Sequence, residues 1–140
     1  MNFVTKEKML EYWGPFTERC GYIFRSGEII EIPNTAINPR RTFSMDLADL
    51  LSAFRGKDPS QVVGIFHTHP SNSPSPSKED VQGWPEQRGL RYLIVTKDDI
   101  FEWTKDVSGS VRPVGNGPAL VAEVHSLAKF KRQRDLGNSR

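Results

Sequence analysis

Two histidines two residues apart stand at the end of an apolar run, in Gly64-Ile65-Phe66-His67-Thr68-His69-Pro70. On a β-strand, residues i and i+2 share a face, so His67 and His69 can aim both imidazoles at one point. The segment from Pro70 to Pro76 contains only Pro, Ser and Asn and must be loop. Ser77-Lys78-Glu79-Asp80 follows with a helix-start pattern. Folding back of the loop would bring Asp80 to the two histidines. Two imidazoles and one carboxylate, with water as fourth ligand, make a tetrahedral zinc site of the catalytic kind.

The bland readings are weaker. A lone histidine at a strand end is usually an ordinary residue, but a pair at i, i+2 beside an acidic helix start is not explained that way. Asp80 could simply favour the helix dipole. That accounts for its type and leaves its spacing to the histidines unaccounted for. Ser77 reads first as an N-cap. Cys20 reads as a small buried hydrophobe, and His125 as a core residue of a final helix.

His-x-His-Pro, with Pro-Ser-x-x-Asp downstream and ten residues between His69 and Asp80, resembles the JAMM/MPN+ (Mov34/JAB) zinc metalloprotease family. Glu18-Arg19-Cys20-Gly21-Tyr22 has the form of the family's upstream glutamate segment. Asn34-Thr35-Ala36 and Phe43-Ser44-Met45-Asp46 look like its prokaryotic and phage branch, which includes phage tail-assembly peptidases. The resemblance runs from about Glu18 to Thr104. It implies His67, His69 and Asp80 as zinc ligands. Glu18 would be the general base on the zinc water, and Ser77 would steady the tetrahedral intermediate. The implied reaction is hydrolysis of a peptide or isopeptide bond. Glu28 and Glu31 on the next strand are the rivals to Glu18.

Substrates implied by the resemblance are a protein or peptide, such as the C-terminal tail of a ubiquitin-like or sulfur-carrier protein, with phage tail proteins as further partners. A zinc-binding but inactive MPN scaffold in a tail or other assembly is the main competitor. A zinc nucleobase deaminase needs a downstream Pro-Cys-x-x-Cys, which a chain with a single cysteine lacks. A His-x-His amidohydrolase barrel needs roughly 250 residues.

The chain has 140 residues, enough for one domain with its own core. With 36% hydrophobic and 26% charged residues it reads as an ordinary globular chain. The lone Cys20 excludes an intrachain disulfide framework. No apolar run approaches the length of a membrane span. Met1 to Leu10 has no apolar signal region, so a cytoplasmic or phage-tail location is expected. Residues 129–140 carry a net charge of +4 within a total of +2. The excess therefore sits in a basic C-terminal tail beyond a domain of residues 1–128. A solvated helix end explains it better than nucleic-acid binding.

The elements that must position the site follow from periodicity. Thr5 to Trp13 reads as a helix capped by Thr5. Cys20–Phe24 and Ile29–Ile32 read as a hairpin turning at Ser26-Gly27, and Arg41–Met45 as a short strand. Leu47, Leu50, Leu51 and Phe54 give an amphipathic helix. Val62–His67 reads as a strand buried on both faces. A helix runs from Ser77 to about Trp84. Strands follow at Arg91–Thr96, Ile100–Thr104 and Val111–Val114. Pro118 opens a final helix with Leu120, Val121, Val124, Leu127 and Ala128 on one face. The sum is a single α/β (α+β) domain with a mixed sheet. The resemblance implies a three-layer, cytidine-deaminase-like sandwich.

Overall fold

The order of strands follows from which of them can be apolar on both faces. The computed structural model describes residues 6–84 and 89–114, and the backbone alone of Val4, Thr5, Val121 and Ala122. Its main sheet has six strands in the order β3-β2-β4-β5-β6-β7. These are β2 Cys20–Phe24, β3 Ile29–Ile32, β4 Val62–Thr68, β5 Arg91–Val95, β6 Ile100–Lys105 and β7 Val111–Pro113. The most apolar runs, β4 and β5, lie in the middle, and their residues are almost all buried. They pair in parallel, while the other neighbours in this sheet pair antiparallel.

A parallel pair cannot be joined by a tight turn, so the chain between β4 and β5 must cross over the sheet. That crossover holds the Pro/Ser loop and helix α3, Lys78–Gly83. The chemistry-bearing segment is thus the connection that the parallel pairing requires.

Alternation along β4 and β5 sorts the core into two clusters. On one face Met9, Ile23, Phe66, Leu93 and Val95 pack together, covered by Leu10, Tyr12 and Trp13. Met9 and Leu10 belong to helix α1, Lys6–Leu10. On the other face Ile65, Trp84, Leu90, Tyr92 and Ile94 form the second cluster. There Trp84, at the end of α3, stacks on Tyr92 with ring centroids 4.5 Å apart. Helical segments on both faces complete a mixed α+β layered domain, as expected. Among the described residues no helix is long and apolar enough to cross a membrane.

Four expectations need correction. The first helix is shorter than Thr5–Trp13, because Thr5 lies in β1, Val4–Thr5, and not at a cap. This strand pairs in parallel with β8, Val121–Ala122, so two residues assigned to the final helix are extended. The rest of that helix, His125 and the tail of residues 129–140 lie outside the described residues. Arg41–Met45 is not a strand. Its Thr42 carbonyl and Ser44 N–H bond the Asn34 side chain, and the Ser44 carbonyl bonds Thr35, so no ladder forms. Helix α2, Leu47–Ala53, has the expected periodicity, yet Leu47 and Leu51 are 69% and 65% exposed. Its anchor is the following Phe54, whose ring meets Tyr22 at 5.2 Å and Phe24 at 5.5 Å.

Gly21 lies between β3 and β4 on the strand that carries Glu18 inward. An added Cβ would run into the Ile30 carbonyl oxygen and come within 2.8 Å of the Phe66 ring and 2.9 Å of Glu31 Cα. The obstacles include backbone on a central strand, so they cannot swing aside. Gly21→Ala is expected to cost about 3 kcal/mol or more in chemical denaturation. Gly83→Ala, with nothing within 4 Å of the new Cβ, should leave the midpoint near the wild-type value.

A second expectation concerns Glu102 on β6. Its carboxylate is buried without a hydrogen bond, 3.2 Å from Arg91 Nε. Burial raises its pKa, and Arg91 opposes the rise only in part. A carboxyl raised in the folded state contributes stability that is complete below the ordinary carboxylate range. That contribution fades as pH rises through the folded value. Glu102→Gln should therefore melt above wild type at neutral pH and converge with it in acid, as read by thermal unfolding from pH 4 to 8.

Candidate metal centre

Strand register builds the site. His67 lies directly opposite Cys20, and Cys20 is two residues after Glu18. Paired residues on adjacent strands share a face, as do residues two apart along a strand. Glu18, Cys20, His67 and His69 therefore fall on one side of the sheet. Beyond the end of β2 the two chains stay zipped: Thr68 N–H donates to the Arg19 carbonyl, and Arg19 N–H donates to Thr68 Oγ1, both at 2.9 Å.

The histidines are oriented by what their other atoms bond. His69 N–H donates to the Val95 carbonyl, and the His69 carbonyl accepts from Trp13 Nε1 at 2.8 Å. His69 Nδ1 lies 2.8 Å from the Ser73 carbonyl and must be the protonated nitrogen to bond there, which leaves the lone pair on Nε2. His67 is packed rather than bonded at its other side. Phe43 stacks on its ring at 4.8 Å, and its Nδ1 is buried without a partner.

The loop from His69 to α3 carries tertiary hydrogen bonds that its composition does not announce. Without an apolar anchor it reads as a mobile segment. In the structure Asn72 takes a left-handed φ of 66° and accepts from Lys97 N–H, while Trp103 Nε1 donates to the Pro74 carbonyl. With the Ser73 carbonyl on His69, these contacts fix the path from β4 to α3.

Helix α3 begins with a capping box. Ser77 Oγ accepts from Asp80 N–H at 3.0 Å, and Asp80 Oδ2 accepts from Ser77 N–H at 2.9 Å. The same Asp80 Oδ2 lies 3.0 Å from His67 Nε2 and 3.2 Å from His69 Nε2, and those two nitrogens are 2.9 Å apart. The capping and site readings of Asp80 thus coexist in one atom.

These three donors are buried and form a nearly equilateral triangle. Ligands at zinc distances of about 2.0–2.1 Å in a tetrahedron stand about 3.3 Å apart, so the triangle fits such an ion with a shift of a few tenths of an ångström. The chemistry of the donors agrees. Burial holds His67 below the usual imidazole range despite the opposing pull of Asp80, favouring the neutral form that binds metals. Burial would lower His69 as well, but Asp80 and the Ser73 carbonyl outweigh it and raise its pKa. Burial would raise Asp80, yet the close imidazoles of His67 and His69 and the Ser77 backbone N–H hold it well below the usual carboxylate range. Asp80 is therefore the anion of the group.

Glu18 joins this cluster, with ligand-type atoms of all four residues within 4.8 Å of one another. It is 4% exposed, and its Oε1 is buried without a hydrogen-bond partner. Burial pushes its carboxyl up to about 8, with His69 lowering it and Asp80 adding to the rise. The rivals lie elsewhere. Glu28 pairs with Lys57 at 2.7 Å, and Glu31 forms a two-pronged pair with Arg19. Cys20 is fully buried and its thiol is pushed up to about 12, which excludes a thiolate nucleophile.

Beside Asp80 a cavity of about 260 Å³ opens, lined by Tyr22, Phe43, Met45, Ile65 and Trp84 among others. Sequence reasoning did not single out Phe43 as the cover of His67, or Trp84, whose ring lies 6.1 Å from that imidazole. Lone aromatics outside a strand alternation give no signal of this kind.

Comparison with known proteins agrees with this geometry. The chain is 32% identical over 82 residues to a desampylase of Haloferax volcanii, covering 54% of this chain and 57% of that protein. It is 32% identical over 91 residues to a desampylase of Pyrococcus furiosus, covering 61% and 65%. The chain thus spans less than two thirds of the length of either relative. A solution structure of a Desulfitobacterium hafniense protein superposes with a TM-score of 0.61 at 21% identity, covering 87% of this chain and 92% of that one, and so shares the fold. Glu18, His67, His69 and Asp80 all fall within residues 15–107, which match the prokaryotic homologs of the JAB domain, and the chain belongs to that family.

Proposed function

We propose that this protein is a zinc-dependent hydrolase of peptide or isopeptide bonds, acting on conjugates of a ubiquitin-like protein. The observation that carries the proposal is an unpaired, buried Glu18 oxygen beside a triangle of His67, His69 and Asp80. Two relatives bearing the name desampylase support the conjugate as substrate class over a phage-tail role, for which the segment from Asn34 to Asp46 is the only argument.

His67, His69 and Asp80 would hold the ion. Zinc, when bound, supplies Lewis acidity that polarises the scissile carbonyl and lowers the pKa of a water beside it. Glu18 Oε1 accepts the proton of the attacking water and returns it to the leaving amine. Burial without a fixed hydrogen-bond partner at Oε1 leaves that oxygen open to take and return a proton. Ser77 spends an oxygen lone pair on the Asp80 N–H, so its hydroxyl proton stays free. It donates that proton in a hydrogen bond to the oxygen that gains charge as the carbonyl is attacked. The cavity beside Asp80, with Phe43, Met45, Ile65 and Trp84 in its lining, would receive the substrate chain next to the reacting bond.

Two measurements test this. Elemental analysis after reconstitution should give one zinc per chain in wild type and none in a His67→Ala/His69→Ala double variant. Glu18→Gln should keep the zinc and lose on the order of 10²–10⁴-fold in cleavage of a ubiquitin-like tail joined to a lysine side chain. Zinc without cleavage in wild type would favour a scaffold, and full activity in Glu18→Gln would remove Glu18 from its role.

A further inference from the structure

The side chain of Asn34 makes more bonds than any cap or turn needs. Its Nδ2 donates to the Glu18 carbonyl at 2.8 Å, to the Thr42 carbonyl at 3.1 Å and to the Pro39 carbonyl at 3.4 Å. Its Oδ1 accepts from Ala36 N–H and Ser44 N–H, both at 3.0 Å. One amide group thus bonds five backbone groups, one at Glu18 and four within residues 36–44. The same loop returns to Glu18 from its other side, because Glu18 N–H donates to the Pro39 carbonyl at 2.6 Å. Both backbone polar groups of Glu18 therefore end on the segment that Asn34 organises.

That segment also reaches the site and the cavity. Phe43 stacks on His67 at 4.8 Å, and Phe43, Ser44 and Met45 form one wall of the cavity beside Asp80. Glu18 stands just before β2 and outside its ladder, so strand pairing does not fix its backbone. Its carboxylate also lacks a partner at Oε1. Its position is set by the Asn34 hub on one side and by the Arg19–Thr68 zipper on the other.

We propose that Asn34 is a positioning residue that sets where the Glu18 carboxylate stands and ties that position to the cavity wall formed by residues 43–45. The inference rests on the proposed role of Glu18 as proton acceptor. The two halves of the amide differ. Oδ1 bonds the loop alone, and Nδ2 bonds the Pro39 and Thr42 carbonyls of the loop together with Glu18. Asn34→Asp keeps the acceptor half and removes the donor half. Thr35→Val removes the bonds from Thr35 Oγ1 to the Ser44 carbonyl and Asp46, which serve the loop without touching Glu18.

The test compares both variants with wild type. Asn34→Asp should lose roughly ten- to hundred-fold in kcat, the scale of a catalytic group misplaced by about an ångström. KM and zinc content should stay close to wild type, because the three donors of the triangle do not bond Asn34. Thr35→Val should keep most of kcat. Hydrogen exchange of the zinc-loaded protein needs no substrate. The Glu18 amide should lose protection in Asn34→Asp, and the Asp80 amide should not. If Asn34→Asp does not fold, Asn34→Ala, which sets no charge against the carbonyls, carries the same expectations. Unchanged exchange at Glu18, or an unchanged kcat in a folded Asn34 variant, would overturn the inference. A wild type that cleaves nothing speaks against the hydrolase reading instead, and exchange at Glu18 then decides this inference alone.

Discussion

One carboxylate oxygen holds the centre of this protein together. Asp80 Oδ2 accepts the Ser77 N–H that opens α3 and faces the Nε2 atoms of His67 and His69. Helix start and strand end are thereby joined at a point. A buried carboxylate on its own would be costly, and here each approach to it brings a donor or an imidazole. The Pro/Ser loop can be tight because its two ends, at His69 and Ser77, meet at that atom. The loop between needs only the contacts of Asn72, Ser73 and Pro74 to hold its course.

The parts of the site that are close in sequence were legible there. Period-two alternation places His67 and His69 on one face, and the capping pattern places Asp80 one turn into a helix. Both rules act over a few residues. Glu18 was legible only through resemblance to a family, since a glutamate ahead of a strand is ordinary until its pairing partner is known. The register that sets Cys20 against His67 is a long-range fact. The misreadings have the same origin. Arg41–Met45 has strand propensity, but a side-chain amide took the backbone groups that a ladder would use. The stripe of α2 has helical periodicity, but the helix lies over the edge strand β3, and Leu47 and Leu51 find no core there. Thr5 went to a two-residue strand through pairing with Val121–Ala122, which no local pattern announces.

The sheet explains why so many polar groups near the site can be buried at all. β4 is covered on both faces, and its last residues pass their backbone bonds to Arg19 and Val95 once regular pairing ends. Thr68 supplies its hydroxyl to the same seam. The backbone N–H groups of Thr68 and His69 are thus bonded where the histidines emerge, and the imidazoles are left to one another and to Asp80. Gly21 contributes from beneath, by letting β2 and its neighbours approach to a distance that a methyl group would forbid.

The donors of the triangle span thirteen positions of chain, whereas Arg19, the neighbour of Glu18, bonds Thr68 across 49. Under the proposed function the donors for the ion form one short cassette, and the proton acceptor is a separate locus ahead of β2. Drift at Glu18 would silence the chemistry while sparing the fold and the ion. Loss of the cassette would strip both. In that reading a single substitution at Glu18 separates a hydrolase from a binding module with the same fold.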